Sequence, residues 1–224
     1  MARTNLDAWN RQKRLKEIYT DEEVPDIDEL YNMISNIRIG NVNVKKQTMR
    51  ARALFAMYYL TACRVSEIVR CPYLKIVMNG QEKKITHEYN GIRKKDIKFG
   101  RIKGKLCMLI RTENRKNKQR KTKRQPIPIE LEKRIAVFIK RYIDKLHDDS
   151  ILFDFQSKRA TQIINQTTGF NVHFIRHIRA THLVTKYDFN EQALIKFMGW
   201  TDARPAKFYM ELAPTDLLMQ FFKR

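Results

Sequence analysis

The chain has 224 residues, 43% of them hydrophobic and 12 of them Phe, which is enough to fill the core of one large domain and too much for a disordered tail. Lys and Arg number 45 against 24 Asp and Glu, a formal charge of +21 that favours a polyanionic partner through counterion release, although an anionic membrane surface or a ribosomal setting fits the same balance. No apolar run is long enough to span a bilayer, no signal peptide opens the chain, and Cys63, Cys71 and Cys107 show no CxxC pairing, which argues against a disulfide framework or a cysteine zinc site and for an intracellular setting.

Residues 1–22 are polar and basic and read as an exposed arm or the remnant of something larger. In "TDEEVPDIDELYNMISNI", Ile27, Leu30, Met33 and Ile34 recur at helical spacing, Thr20 or Asp21 offers a cap, and Gly40 offers a stop. From about Lys45 to Val69 runs a strongly apolar helical pattern with Leu54, Phe55, Tyr58, Tyr59 and Leu60 as expected core. Thr-Ala-Cys interrupts it before Arg64, and Cys71-Pro72 closes it.

Over residues 73–130 the period changes to short β-branched or alternating runs punctuated by Asn-Gly and Gly, the pattern of strands and hairpins. "RKNKQRKTKR" then places seven basic residues within 115–124, and "QPIPI" follows as an edge-like strand that tolerates its prolines. The remainder is helical: "ELEKRIAVFIKRYIDKL", a piece near "SKRATQIINQTT", the His/Arg segment, "EQALIKFMGW" and a final "APTDLLMQFFKR". The expected class is α+β, mainly helical with a small antiparallel β-sheet.

The His/Arg segment, "HFIRHIRATH", carries His173, Arg176, His177, Arg179 and His182, with His173 and Arg176 one turn apart on one helix face. Zinc is a rival reading, but HxxxH here lacks the intervening Glu of the zinc-protease helix, and two flanking arginines repel a dication. From the decapeptide alone, a solvated helix face with a satisfied histidine is the better reading. Two other segments bear on the choice. "LTACRVSEIVR" sets Arg64 at a helix start with Glu67 three residues on, a plain ion pair or more. "MGWTDARPAKFYM" sets Tyr209 nine residues after Trp200, a packed aromatic or more.

Together, "TACRVSE", "HFIRHIRAT" and "MGW" with Tyr209 resemble, in order, the three motifs of the tyrosine recombinase or phage integrase family, with a Xer-like catalytic domain over residues 23–224. The resemblance implies DNA strand cleavage and rejoining through a 3′-phosphotyrosyl intermediate, without metal, ATP or other cofactor. It implies that Arg64 and Arg176 clamp the scissile phosphate, a task suited to a planar, always charged, forked donor. It makes Tyr209 the nucleophile, His173 the proton acceptor or phosphate donor, and Trp200 an indole N–H donor to the phosphate, with Glu67 orienting its neighbours. A hairpin lysine supplies the proton for the leaving 5′-oxygen: Lys116 is the expected one, with Lys118 and Lys121 behind it. Arg115, Lys118, Arg120, Lys121, Lys123, Arg124 and Arg179 are the expected DNA contacts.

The sequence departs from the family in several places. Some 20 residues precede the catalytic domain, where family members carry an N-terminal helical domain that closes around DNA. Residues 75–95 read as an insertion with lysines that can reach DNA. Ile178 and Arg179 replace the usual residues of the second motif. Residues 210–224 hold an apolar stripe, Leu217, Leu218, Phe221 and Phe222, which either folds back or docks on a neighbour. The expected assembly is a tetramer on double-stranded DNA and a monomer when free, in cytoplasm or nucleoid, of a host cell where a mobile element encodes it. Three other activities stay open: a type IB topoisomerase or DNA-end resolvase with the same chemistry, a non-catalytic nucleic-acid-binding relic, and a metal nuclease.

Overall fold

The structure, a computed structural model, describes residues 24–39, 44–78, 81–113 and 122–212. Thr20 and Asp21, the proposed caps of the first helix, and the apolar stripe of the tail lie outside them. Helix α1 is Ile27–Asn36 and begins two residues after Pro25, which holds its predecessor out of the helical region. It buries Leu30 and Ile34. It ends at Asn36, short of Gly40, because its last carbonyls find a partner elsewhere. The Arg52 guanidinium donates to the Ser35 and Ile37 carbonyls, a tertiary cap in place of a glycine one.

In helix α2, Val44–Thr61, the second half is buried, with Ala53 to Leu60 each at most 1% exposed, while Lys45 and Lys46 in the first half are exposed. The expected interruption is there. Ala62 takes a left-handed φ of 47°, and a single-turn helix α3, Val65–Ile68, restarts the chain. Strands β1, Cys71–Met78, and β2, Gln81–Tyr89, form an antiparallel ribbon of their own, with Cys71 opposite Tyr89 and Val77 opposite Glu82. A second sheet has the order β3 (Ile97–Ile102), β4 (Lys105–Glu113), β5 (Thr122–Pro128), all antiparallel. Lys103 and Gly104, both at positive φ, make the two-residue β3–β4 turn, whose twist suits a hairpin. β5 lies at the sheet edge, where Pro126 and Pro128 forfeit no ladder bond on an outer side.

Five helices complete the described chain: α4 (Ile129–Ile143), α5 (Ser157–Thr168), α6 (Val172–Thr185), α7 (Glu191–Met198) and α8 (Arg204–Leu212). The architecture is the expected α+β one, mainly helical. Two compact units are distinguishable among the described residues: those of 27–176 form one, and residues 24–26 with 177–212 form the other. In the first, α2 lies along α4, with Phe55, Tyr59, Ile139 and Phe153 buried. In the second, Ile178, Leu183, Leu194, Met198 and Phe208 are buried, and Phe189 meets Phe197 edge to face at 5.8 Å.

Candidate active site

The larger unit carries one cluster, on the turn after α2. Gln125 of β5 donates its amide to the Thr61 carbonyl at 2.6 Å, and the Cys63 thiol lies 3.4 Å from Gln125 Oε1 and 3.6 Å from Thr112 Oγ1 of β4. Thr61, Cys63, Thr112 and Gln125 are all buried, so the turn is tied to the sheet by satisfied polar groups in a place where unsatisfied ones are costly. Burial pushes the Cys63 thiol pKa up, which keeps it a neutral packing group. The Arg176 side chain of α6 donates to the Ala62 carbonyl, which the left-handed residue turns outward from the helix end.

Arg64 follows two residues later. Glu67 holds it twice: one carboxylate oxygen accepts from the Arg64 backbone N–H at 3.0 Å and the other from its guanidinium at 3.0 Å. Glu67 is 2% exposed, and the Tyr89 hydroxyl donates to its carbonyl at 3.0 Å. The pairing read from sequence as a plain ion pair is therefore also the cap of α3. Gly91 closes the arrangement. Its φ is 85°, and an added Cβ would stand 2.9 Å from the Ile68 carbonyl oxygen.

Charges converge on this turn. The His173 pKa is lowered by partial burial of the ring and then by Arg176 and Arg64, so both guanidinium groups act on one imidazole. The Lys123 ammonium nitrogen is out of contact with solvent. Its pKa is lowered mainly by burial and further by Arg176 and Arg64, against the opposite pull of Cys63 and Glu67. Three cations and a neutral histidine thus share one neighbourhood with one carboxylate, and a monoanionic phosphodiester would reduce the repulsion among them.

The smaller unit carries a second cluster. The Tyr209 hydroxyl on α8 lies 3.2 Å from His177 Nδ1 on α6. The Trp200 indole stacks on the Tyr209 ring, centroids 5.7 Å apart and planes 13° apart, and Phe208 meets it edge-on at 5.3 Å. His177 is 6% exposed, and burial lowers its pKa to about 4, so it is neutral at pH 7. Among the described residues no group of three or more His, Cys, Asp or Glu is placed to hold a metal ion.

Residues 24–215 match the phage integrase family. The chain belongs to that family. No curated protein sequence matches it. Among solved structures, it is similar in fold to the XerH site-specific recombinase bound to palindromic difH substrate in a post-cleavage complex, at a TM-score of 0.51 and 16% identity, over 91% of this chain and 52% of that one. It is similar also to XerH bound to difH in a pre-cleavage complex, at a TM-score of 0.50 and 19% identity, over 89% and 52%. The chain therefore spans about half the length of the solved structures it matches.

In this phage integrase family member the residues singled out by sequence fall into three groups. Arg64, Glu67, His173 and Arg176 are brought together in one unit, and Trp200 and Tyr209 in the other. Arg115, Lys116, Lys118, Arg120 and Lys121 lie outside the described residues. Lys123 and Arg124 alternate on β5, so Arg124 is exposed while Lys123 points inward among the site residues. The expectation that Arg179 contacts DNA is corrected. Arg179 is 2% exposed, with its guanidinium over the Tyr187 and Phe197 rings at 5.3 and 5.7 Å, a cation–π seat that faces the interior. Two residues were missed. His177 has no catalytic role in the sequence reading, although its place on a partly apolar helix is a signal for burial. Arg111 pairs directly across the ladder with Arg124. Both are exposed, and Lys98 lies on the same sheet face one row away.

Proposed function

We propose that this chain is the catalytic domain of a site-specific DNA recombinase that cleaves and rejoins strands through a covalent 3′-phosphotyrosyl intermediate. The observation that carries the reading is the meeting of Arg64 and Arg176 at one turn, both acting on His173 and Lys123. Two forked cations fit the two non-bridging oxygens of a phosphodiester and stabilise the charge that grows there on attack. Tyr209 Oη attacks phosphorus and forms the new P–O bond, while the P–O5′ bond breaks. The phenolic proton passes to His173, the acceptor that the motif resemblance implies. The departing 5′-oxygen takes a proton from a lysine. Lys116 is the family's choice by position, and Lys123 is the one whose ammonium is buried beside the arginines. The Trp200 indole N–H donates to the phosphate. Rejoining runs the same steps backward, so neither metal nor ATP enters. That XerH, a recombinase of similar fold, is bound to its DNA substrate before and after cleavage supports DNA as the partner.

The test is incubation with a nicked suicide substrate bearing candidate sites. An SDS-resistant protein–DNA band is expected with the unaltered chain and none with Tyr209→Phe; an adduct in that variant refutes the nucleophile. A substrate whose 5′ leaving atom is sulfur needs no proton on departure. It restores cleavage to whichever of Lys116→Met and Lys123→Met has lost the acid, and not to the other.

A further inference from the structure

We infer that His177 is the positioning residue of Tyr209, holding the phenol oxygen through Nδ1 while Trp200 fixes the plane of the ring. The inference rests on the reading of Tyr209 as nucleophile. It starts from three contacts in one unit: the 3.2 Å approach of Tyr209 Oη to His177 Nδ1, the ring centroids of the same pair 5.3 Å apart, and the indole stacked at 13° on the tyrosine. A tyrosine side chain has two rotatable torsions. The stack sets the direction of the ring, and the hydrogen bond sets where along that ring the oxygen rests. Either contact alone leaves one motion open.

His177 has the chemistry for a hold and lacks it for a base. It is 6% exposed and neutral, and in the tautomer that carries its proton on Nε2 the Nδ1 accepts the phenolic hydrogen. Burial that brings the imidazole pKa to about 4 makes it too weak a base to keep that proton, which goes onward to another acceptor during attack. The helix places the residue for this: α6 is regular from Val172 to Thr185, so His177 is directed by its backbone, with Phe208 beside it at 6.3 Å between centroids.

The experiment measures covalent adduct formation on the suicide substrate in single turnover, alongside DNA affinity and thermal melting, for the full chain and three variants. Asn sets its amide oxygen near the place of Nδ1, Gln matches the length to Nε2 instead, and Leu fills space without an acceptor. The expected result is near-normal adduct formation in His177→Asn and a loss of about 100-fold in His177→Gln and His177→Leu, the scale of a nucleophile misplaced by an ångström. DNA affinity is expected to stay within about twofold in all three, since a hold on the nucleophile moves rate and not binding. A normal rate in His177→Leu overturns the inference, and so does an equal loss of rate, affinity and melting temperature in all three variants, which would make His177 a packing residue. Failure of the unaltered chain to form an adduct, or an adduct in Tyr209→Phe, sinks the nucleophile reading instead and is recognised without the His177 variants.

Discussion

At the scale of single residues, the turn from Thr61 to Glu67 shows how much is spent on aiming one guanidinium. Ala62 stands at positive φ, and an L-residue there costs about 1–2 kcal/mol. The buried bond of Gln125 and the half-buried bond of Arg176 to that turn offset the cost. Arg64 is held by Glu67 and Arg176 by the Ala62 carbonyl, so each presents a fixed fork. Arg64→Lys or Arg176→Lys keeps the charge but loses the fork, and is expected to lower the single-turnover cleavage rate by about 10²–10³ with DNA affinity nearly unchanged. Gly91→Ala would set a Cβ against the Ile68 carbonyl at a φ of 85°, beside the helix that Arg64 caps. A loss of about 1–3 kcal/mol in urea denaturation is expected, with cleavage falling alongside. Arg64, His173, Arg176, Trp200 and Tyr209 stand out as candidates because each sits in a short motif whose spacing survives without the fold. Lys123 and Arg179 were not, because a basic residue in a basic run looks the same whether its strand or helix turns it outward or inward.

At the scale of elements, periodicity did most of the work, and the exceptions have tertiary causes. The apolar second half of α2 and the break after Thr61 follow from composition and from the Thr-Ala-Cys step. The end of α1 does not, since its cap is Arg52 from another helix. The two sheets were read as one stretch of hairpins; that β1 and β2 pair with each other apart from β3–β5 is a matter of which edges meet. Register also makes the exposed Arg111 and Arg124 direct neighbours, with Lys98 diagonal to Arg111. Like charges across a ladder destabilise it slightly, and a phosphate backbone laid over that face relieves them. In anisotropy titrations of duplex DNA, the Arg111→Gln, Arg124→Gln double variant is expected to bind more weakly. Its log–log salt slope should be shallower by about two. An unchanged slope would remove this face from the contact surface.

For the whole molecule, buried neutral histidines set an acid limit. The pKa of His177 is lowered to about 4 by burial, and that of His182 to about 3 by burial and then by Lys186 and Arg179. Both residues are nearly inaccessible, at 6% and 3% exposed. An unfolded histidine titrates near 6.5, so between about pH 6.5 and pH 4 the unfolded chain binds more protons than the folded one. Stability is full above that window and falls as the pH drops through it, by about 1.4 kcal/mol per pH unit for each histidine. Urea midpoints at pH 7 and pH 5 check this, with His182→Gln expected to flatten the dependence.

The sequence by itself determined the class, the order of the elements and the residue types of the site. These depend on spacing along the chain: helical and alternating periods, turn residues, and three motifs that each fit within about ten residues. Only the tertiary structure decided which basic residue is buried at the cluster, which arginine serves the core, and that His177 touches Tyr209. Those facts depend on residues far apart in sequence meeting in a low-dielectric interior, where the direction of a side chain sets its charge state and its role. No local pattern carries that direction.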